Sequence, residues 1–202
     1  MLGGAVGSLF LGLRADDGSL LMPLTALQIL WINFLGDGPP ALALSVDRSP
    51  GVMQERPRPP KSPLLDSSAL RFILLDGGFK GVVGLALLAL MPALGASLAT
   101  TATSVFLYES VAKLVSAYPA RKIGAPAAPN LWLHVSIAAG LLVALLCLVV
   151  PALRLTLGLS ALDGTASATL AIAIAVTALS GELIARALRG GSPMQDLQRR
   201  AA

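Results

Sequence analysis

The chain has one cysteine, one histidine, few aromatic residues and few charges. A lone Cys147 cannot form an intrachain disulfide, and beside a single histidine it leaves no zinc site with its ligands. Cys147 lies in an apolar run and reads as a small buried apolar residue. His134 stands close to Trp132 at the entrance of an apolar segment, where a histidine with its hydrogen bonds satisfied is the expectation rather than a metal ligand or general base. Charged residues make up 13% of the sequence, against about a quarter in a soluble domain. The net charge of +4 does not point to nucleic acid. Its basic residues fall in separate loops, whereas a nucleic-acid surface needs a basic face with aromatic residues. No internal repeat is visible, which argues against an inverted-repeat secondary transporter.

What the chain has in abundance is apolar sequence: 55% of its residues are hydrophobic and its mean hydropathy is +0.77. The pattern predicts an all-α, polytopic transmembrane bundle in contact with the lipid bilayer. Residues 1–13 are apolar but shorter than the roughly 20 residues a crossing needs, and read as the end of a truncated helix. Five full spans follow, at about 20–45, 69–94, 98–118, 131–152 and 165–188. Residues 46–68 form a basic loop whose prolines oppose regular helix, and residues 189–202 form a polar, basic tail. Cytoplasmic loops carry the excess of Lys and Arg in membrane proteins. Arg48, Arg56, Arg58, Lys61 and Arg71 fall on one side, as do Lys113, Arg121 and Lys122, then Arg186, Arg189, Arg199 and Arg200. The opposite side holds Arg14 and Arg154. The 46–68 loop and the carboxyl terminus are therefore expected in the cytoplasm.

The most informative stretch runs from Leu30 to Leu44. Both flanks suit a bilayer, but the middle holds Asn33, Gly36, Asp37, Gly38, Pro39 and Pro40. A carboxylate at the centre of a spanning helix costs about 2.5–3.5 kcal/mol on insertion scales. Consecutive prolines withhold two backbone donors and crowd the preceding turn. The second span is therefore expected to unwind at Gly36–Pro40. Irregular backbone at that depth is tolerated where it packs in protein or lines a wet cavity. Asn33 and Asp37 are four apart and share one helical face. A carboxylate, an amide oxygen and freed carbonyls are what a hard cation prefers, and broken membrane helices build ion sites from such parts. The alternative is a polar patch that joins helices. A second intramembrane acid, Glu109, lies between Tyr108 and Ser110 in the fourth span and needs a partner. Asp76–Lys80 and Glu182–Arg186 have the spacing of helical ion pairs. The glycines of 77–84 offer a small-residue seam for close helix contact.

Leu30-Trp31-Ile32-Asn33 followed by Asp37-Gly38-Pro39-Pro40-Ala41 resembles the sixth membrane helix of calcium-type P-type cation-transporting ATPases. Met53-Gln54-Glu55-Arg56-Pro57-Arg58-Pro59-Pro60-Lys61-Ser62-Pro63-Leu64-Leu65 resembles the cytoplasmic loop that follows it. The resemblance covers residues 1–188 and implies a carboxyl-terminal membrane domain. It implies Asn33, Asp37 and Glu109 as cation (metal) ligands, with a helix break at Gly36, Gly38, Pro39 and Pro40. It also implies Ca2+ as the transported ion, with another divalent cation, a monovalent ion or a proton as alternatives. Three departures stand out. Ala5 and Ser8 occupy positions where the fifth helix of the family offers an asparagine and a glutamate, and Gly36 stands where a threonine precedes the aspartate. The family phosphorylates an aspartate in Asp-Lys-Thr-Gly, and these residues contain no Asp-Lys pair. ATP and Mg2+ would then act only through other domains, and the chain alone is not expected to hydrolyse ATP. The expected partner is an amino-terminal ATPase portion or another P-type pump. The competing expectation is a non-catalytic fragment or accessory subunit packed against a pump. In either case Asp37 is expected to face the bundle interior, with Glu109 within reach.

Overall fold

A computed structural model describes residues 24–47, 67–123 and 129–189. The partial span at 1–13, nearly all of the 46–68 loop and the tail from 190 lie outside them. Among the described residues the only regular structure is helical. In chain order the helices are α1 (Ala26–Ser45), α2 (Ser67–Ala93), α3 (Leu98–Ile123), α4 (Leu131–Val149), the short α5 (Pro151–Thr156) and α6 (Gly164–Arg189). Five of them fall where hydropathy places the full spans. The link between α4 and α6 begins with α5, which has Pro151 at its start, where a missing N–H does no harm.

Among the described residues three helices are long and apolar enough to cross a membrane: α2, α4 and α6. The other two long helices, α1 and α3, are more polar, and the architecture explains how they are accommodated. Helix α3 is the hub. It packs against α1 and α4 on one flank and α2 and α6 on the other, while α1 also packs on α4, and α2 on α6. Among the described residues helices α1 and α2 make no packing contact with each other, so a groove over α3 lies between them. Tyr108, Phe106, Leu114, Thr101 and Ser104 of α3 are all at most 1% exposed. The hydroxyls of Thr101, Thr103, Ser104 and Ser110 donate to the carbonyls four residues earlier, at 2.8–2.9 Å. A polar helix so self-satisfied can sit in the middle of a bundle without leaving orphan donors. Large apolar side chains of the outer helices point outward instead, among them Leu74, Val82, Leu142, Leu145, Ile172 and Leu179. An outward apolar surface of that extent suits lipid.

Close approach to α3 depends on small residues at chosen points. A Cβ on Gly140 of α4 would lie 2.7 and 2.8 Å from the methyls of Leu114, and one on Gly84 of α2 would lie 3.4 Å from the Tyr108 ring. The glycine seam expected across 77–84 narrows to this one residue, because Gly77, Gly78 and Gly81 face open space. Polar ties hold the helix ends. At one end Arg121 pairs with Asp47 and Lys122 with Glu182, which Arg186 also reaches at 2.9 Å. At the other, Gln28 donates to the Leu157 carbonyl at 2.8 Å and Ser160 N–H to Thr103 at 2.9 Å. Gln28 also completes a reciprocal cap with Thr25, so α1 starts where this pair closes its first turn.

The expected break in the second span is not present. Helical backbone continues from Ala26 to Ser45 with Pro39 and Pro40 inside it. The prolines leave the Leu35 and Gly36 carbonyls without their N–H donors, yet the helix is fixed on both sides of that turn. The Thr25–Gln28 cap holds its start. The Asn130 side chain, donating at 2.8 Å to the Ala43 carbonyl, holds its end.

Candidate functional site

Asn33 and Asp37 lie one turn apart on α1, on the side turned toward α3. Between them sits a side chain from that helix. Lys113 Nζ donates to Asn33 Oδ1 at 2.9 Å and to Asp37 Oδ2 at 2.8 Å. Gly36 makes this possible. The Lys113 stem runs across it so closely that a Cβ there would stand 3.1 Å from Cδ and 3.2 Å from Cβ of the lysine. Gly36 thus serves as a channel for the lysine stem rather than as a break.

Glu109 precedes Lys113 by one turn of α3, but it leans on the opposite wall. Its Oε1 lies 3.2 Å from where a Gly84 Cβ would be. Among the described residues Glu109 forms no hydrogen bond or ion pair, with Lys113 or with any other group. The structure therefore brings Asn33 and Asp37 to one point and leaves Glu109 across the groove from them. It also corrects the expected enclosure of Asp37. That side chain is 59% exposed, against 30% for Lys113. Among the described residues no three His, Cys, Asp or Glu side chains converge to hold a metal ion. An Asn33–Asp37–Glu109 set contributes only two such groups, from two helices.

A second polar cluster joins α2, α3 and α6. Tyr108 Oη donates to the Lys80 carbonyl at 3.2 Å and meets Thr177 Oγ1 at 2.9 Å. The Asp76–Lys80 pair expected from spacing is formed, with Asp76 buried against α6 at Gly181. Glu182–Arg186 is formed too, extended by Lys122. His134 accepts or donates one hydrogen bond at Nδ1, to Tyr118 Oη at 2.9 Å, in keeping with a satisfied histidine. Cys147 is fully buried.

Compared with known proteins, residues 21–187 match the family described as "Cation transporting ATPase, C-terminus". The chain belongs to that family. The cation-transporting ATPase C-terminus accounts for all the described helices, including the hub and both walls of the groove. Shorter stretches resemble curated proteins. One is 47% identical over 55 residues to calcium-transporting ATPase 1 of Schizosaccharomyces pombe, covering 27% of this chain and 6% of that protein. Another is 44% identical over 62 residues to a calcium-transporting ATPase of Bacillus subtilis, covering 30% of the chain and 7% of the protein. A third is 35% identical over 66 residues to the cation-transporting ATPase pma1 of Synechocystis, covering 32% and 7%. The matched stretches are thus small fractions of much longer proteins. They support an integral membrane location and a P-type ATPase membrane segment for this domain.

Two contributors to the site were not singled out by sequence reasoning. By sequence Lys113 falls with the cytoplasmic basic residues, yet it reaches Asn33 and Asp37. Asn130 had no assigned role. The available signal for Lys113 was position: it lies about three turns before the end of α3 at Ile123, well before the basic pair Arg121–Lys122 in the last turn.

Proposed function

We propose that the chain is the membrane cation-transport segment of a calcium-type P-type ATPase, in which Asn33 and Asp37 supply one side of an intramembrane ion site and Glu109 the other. The observation that carries this reading is the convergence of the Asn33 and Asp37 oxygens on one cationic group, at 2.9 and 2.8 Å. Oxygens so aimed can hold a hard cation. The resemblance of the motif at Asn33–Ala41 and the names of the relatives favour Ca2+ as the ion. In this reading α1 and α3 cross the bilayer together with α2, α4 and α6, since each is at least as long as α4 and packs against it. The ion-paired end, with Asp47, Lys122 and Glu182, is cytoplasmic, and so are the 46–68 loop and the tail. ATP and Mg2+ act through a phosphorylation and nucleotide portion that works with this one. The open side of the groove, where Asp37 is exposed, is the surface its membrane helices would close. The test is calcium binding to the chain purified from native membranes with any chain that accompanies it. Asp37→Asn should weaken binding at least about tenfold. Equal binding by wild type and Asp37→Asn would remove the reading.

A non-catalytic accessory subunit is the second reading. It is favoured by the fact that the Asn33–Asp37 position is already filled from within the chain. It predicts co-purification with a full-length pump and calcium binding indifferent to Asp37.

A further inference from the structure

We propose that Lys113 is a tethered counter-cation: its ammonium takes the Asn33–Asp37 position whenever a transported cation is absent, and the two compete for the same oxygens. This rests on the reading of Asn33 and Asp37 as ion ligands, and it adds a component that the reading does not contain.

Three observations lead to it. The first is the identity of the contacts. Nζ of Lys113 binds Asn33 Oδ1 and Asp37 Oδ2, the two side-chain oxygens of α1 that would bind the ion. A cation cannot take both while the ammonium remains.

The second is that the reach across to α1 is built into the packing. Lys113 has an acid one turn earlier on its own helix, and a Glu-to-Lys pair at that spacing is the local default. It does not form. Glu109 is turned to Gly84 of α2, while the Lys113 stem crosses Gly36 of α1, where any side chain would have to displace it. Two glycines on facing walls thus direct neighbouring charges of α3 apart.

The third is the charge balance of the groove. Asp37 and Glu109 against Lys113 leave one negative charge rather than two. A carboxylate facing a groove in a membrane needs a partner in every state of a transport cycle. A lysine on a flexible four-carbon stem can withdraw when the ion arrives and return when it leaves. Lys113 is 30% exposed, so its side chain is not enclosed on every side. Asp37 would then need no ion from outside to accompany its return to the empty state.

The experiment is calorimetric titration with Ca2+ of the full-length chain in lipid nanodiscs, together with any chain that co-purifies. Wild type is compared with Lys113→Met, Lys113→Arg, Asp37→Asn and the Lys113→Met/Asp37→Asn double variant. Removing a competing unit charge at hydrogen-bond distance should tighten Ca2+ binding by about tenfold or more. Lys113→Arg should keep binding near the wild-type level. The double variant should lose the gain, and being a neutral pair it controls for folding. If Lys113→Met binds no tighter than wild type while Asp37→Asn still weakens binding, the competition is refuted and the ion site stands. If no variant differs from wild type, or none binds, both fall together.

Discussion

Asn130→Ala isolates what a single amide contributes to the joint between α1 and α4. Asn130 is 6% exposed and stands in extended conformation just before α4. Its Oδ1 accepts the Leu133 N–H at 3.0 Å, capping α4, and its Nδ2 donates to the Ala43 carbonyl at 2.8 Å. The Ala43 carbonyl depends on that donor. The N–H that a continuing helix would send it, from Asp47, goes to Leu44 at 3.1 Å instead. Loss of the cap costs about 1 kcal/mol. Leaving a buried carbonyl without a donor costs about 1–3 kcal/mol more. The expected loss is therefore about 2–4 kcal/mol, measured by SDS-titrated unfolding in mixed micelles followed by circular dichroism. Asn130→Asp keeps the capping oxygen and removes the donor, so its loss should be distinguishable from that of the alanine variant. An Asn130→Ala protein within about 0.5 kcal/mol of wild type, the scatter of neutral surface changes, would refute the assignment.

The same titration serves two further predictions. Gly140→Val should destabilise by about 1–3 kcal/mol through overpacking against Leu114, and Leu114→Ala in the same chain should recover part of that loss; additive losses would count against the contact. Tyr108→Phe should cost about 1–2 kcal/mol, because the Thr177 hydroxyl and the Lys80 carbonyl lose their partner. Adding Thr177→Val should lessen the effect, and a Tyr108→Phe protein as stable as wild type would show that the junction contributes nothing. Cys147 is fully buried, so maleimide should not label the folded protein but should label it in excess SDS. Rapid labelling in nanodiscs would contradict the packing of α4 on the core.

The helices were legible because the bilayer imposes length and composition on each one separately. The ranges read from hydropathy differ from the observed ones by a few residues, and the local pairs Asp76–Lys80 and Glu182–Arg186 followed from helical spacing. The adjacency of Asn33 and Asp37 was legible for the same reason. What lies between helices was not. Lys113 reaches partners 80 and 76 positions away, and nothing in its neighbours says which helix it meets. The glycines of 77–84 show the converse. A repeated small residue invites close packing, but only Gly84 receives a neighbour, since helix rotation decides which face is used. The exposure of Asp37 was hidden too, because it depends on how the helices assemble around α1, a property of the bundle and not of that helix.

The prolines of α1 show where such reading reaches its limit. Pro39 and Pro40 do remove donors, and the carbonyls that lose them belong to the turn flanking Asp37. The sequence signal therefore marks the turn at which Lys113 meets Asn33 and Asp37. It did not settle the conformation, because a helix stops only if ending it there is more favourable than holding the weakened turn between two secured ends. Here the Thr25–Gln28 cap secures one end, and Asn130 with the Asp47–Arg121 pair secures the other. The Lys113 stem lies against Gly36 in the weakened turn itself. With three anchors around it, a turn lacking two donors stays helical, and the face that carries Asn33 and Asp37 is held against α3, where the lysine meets it.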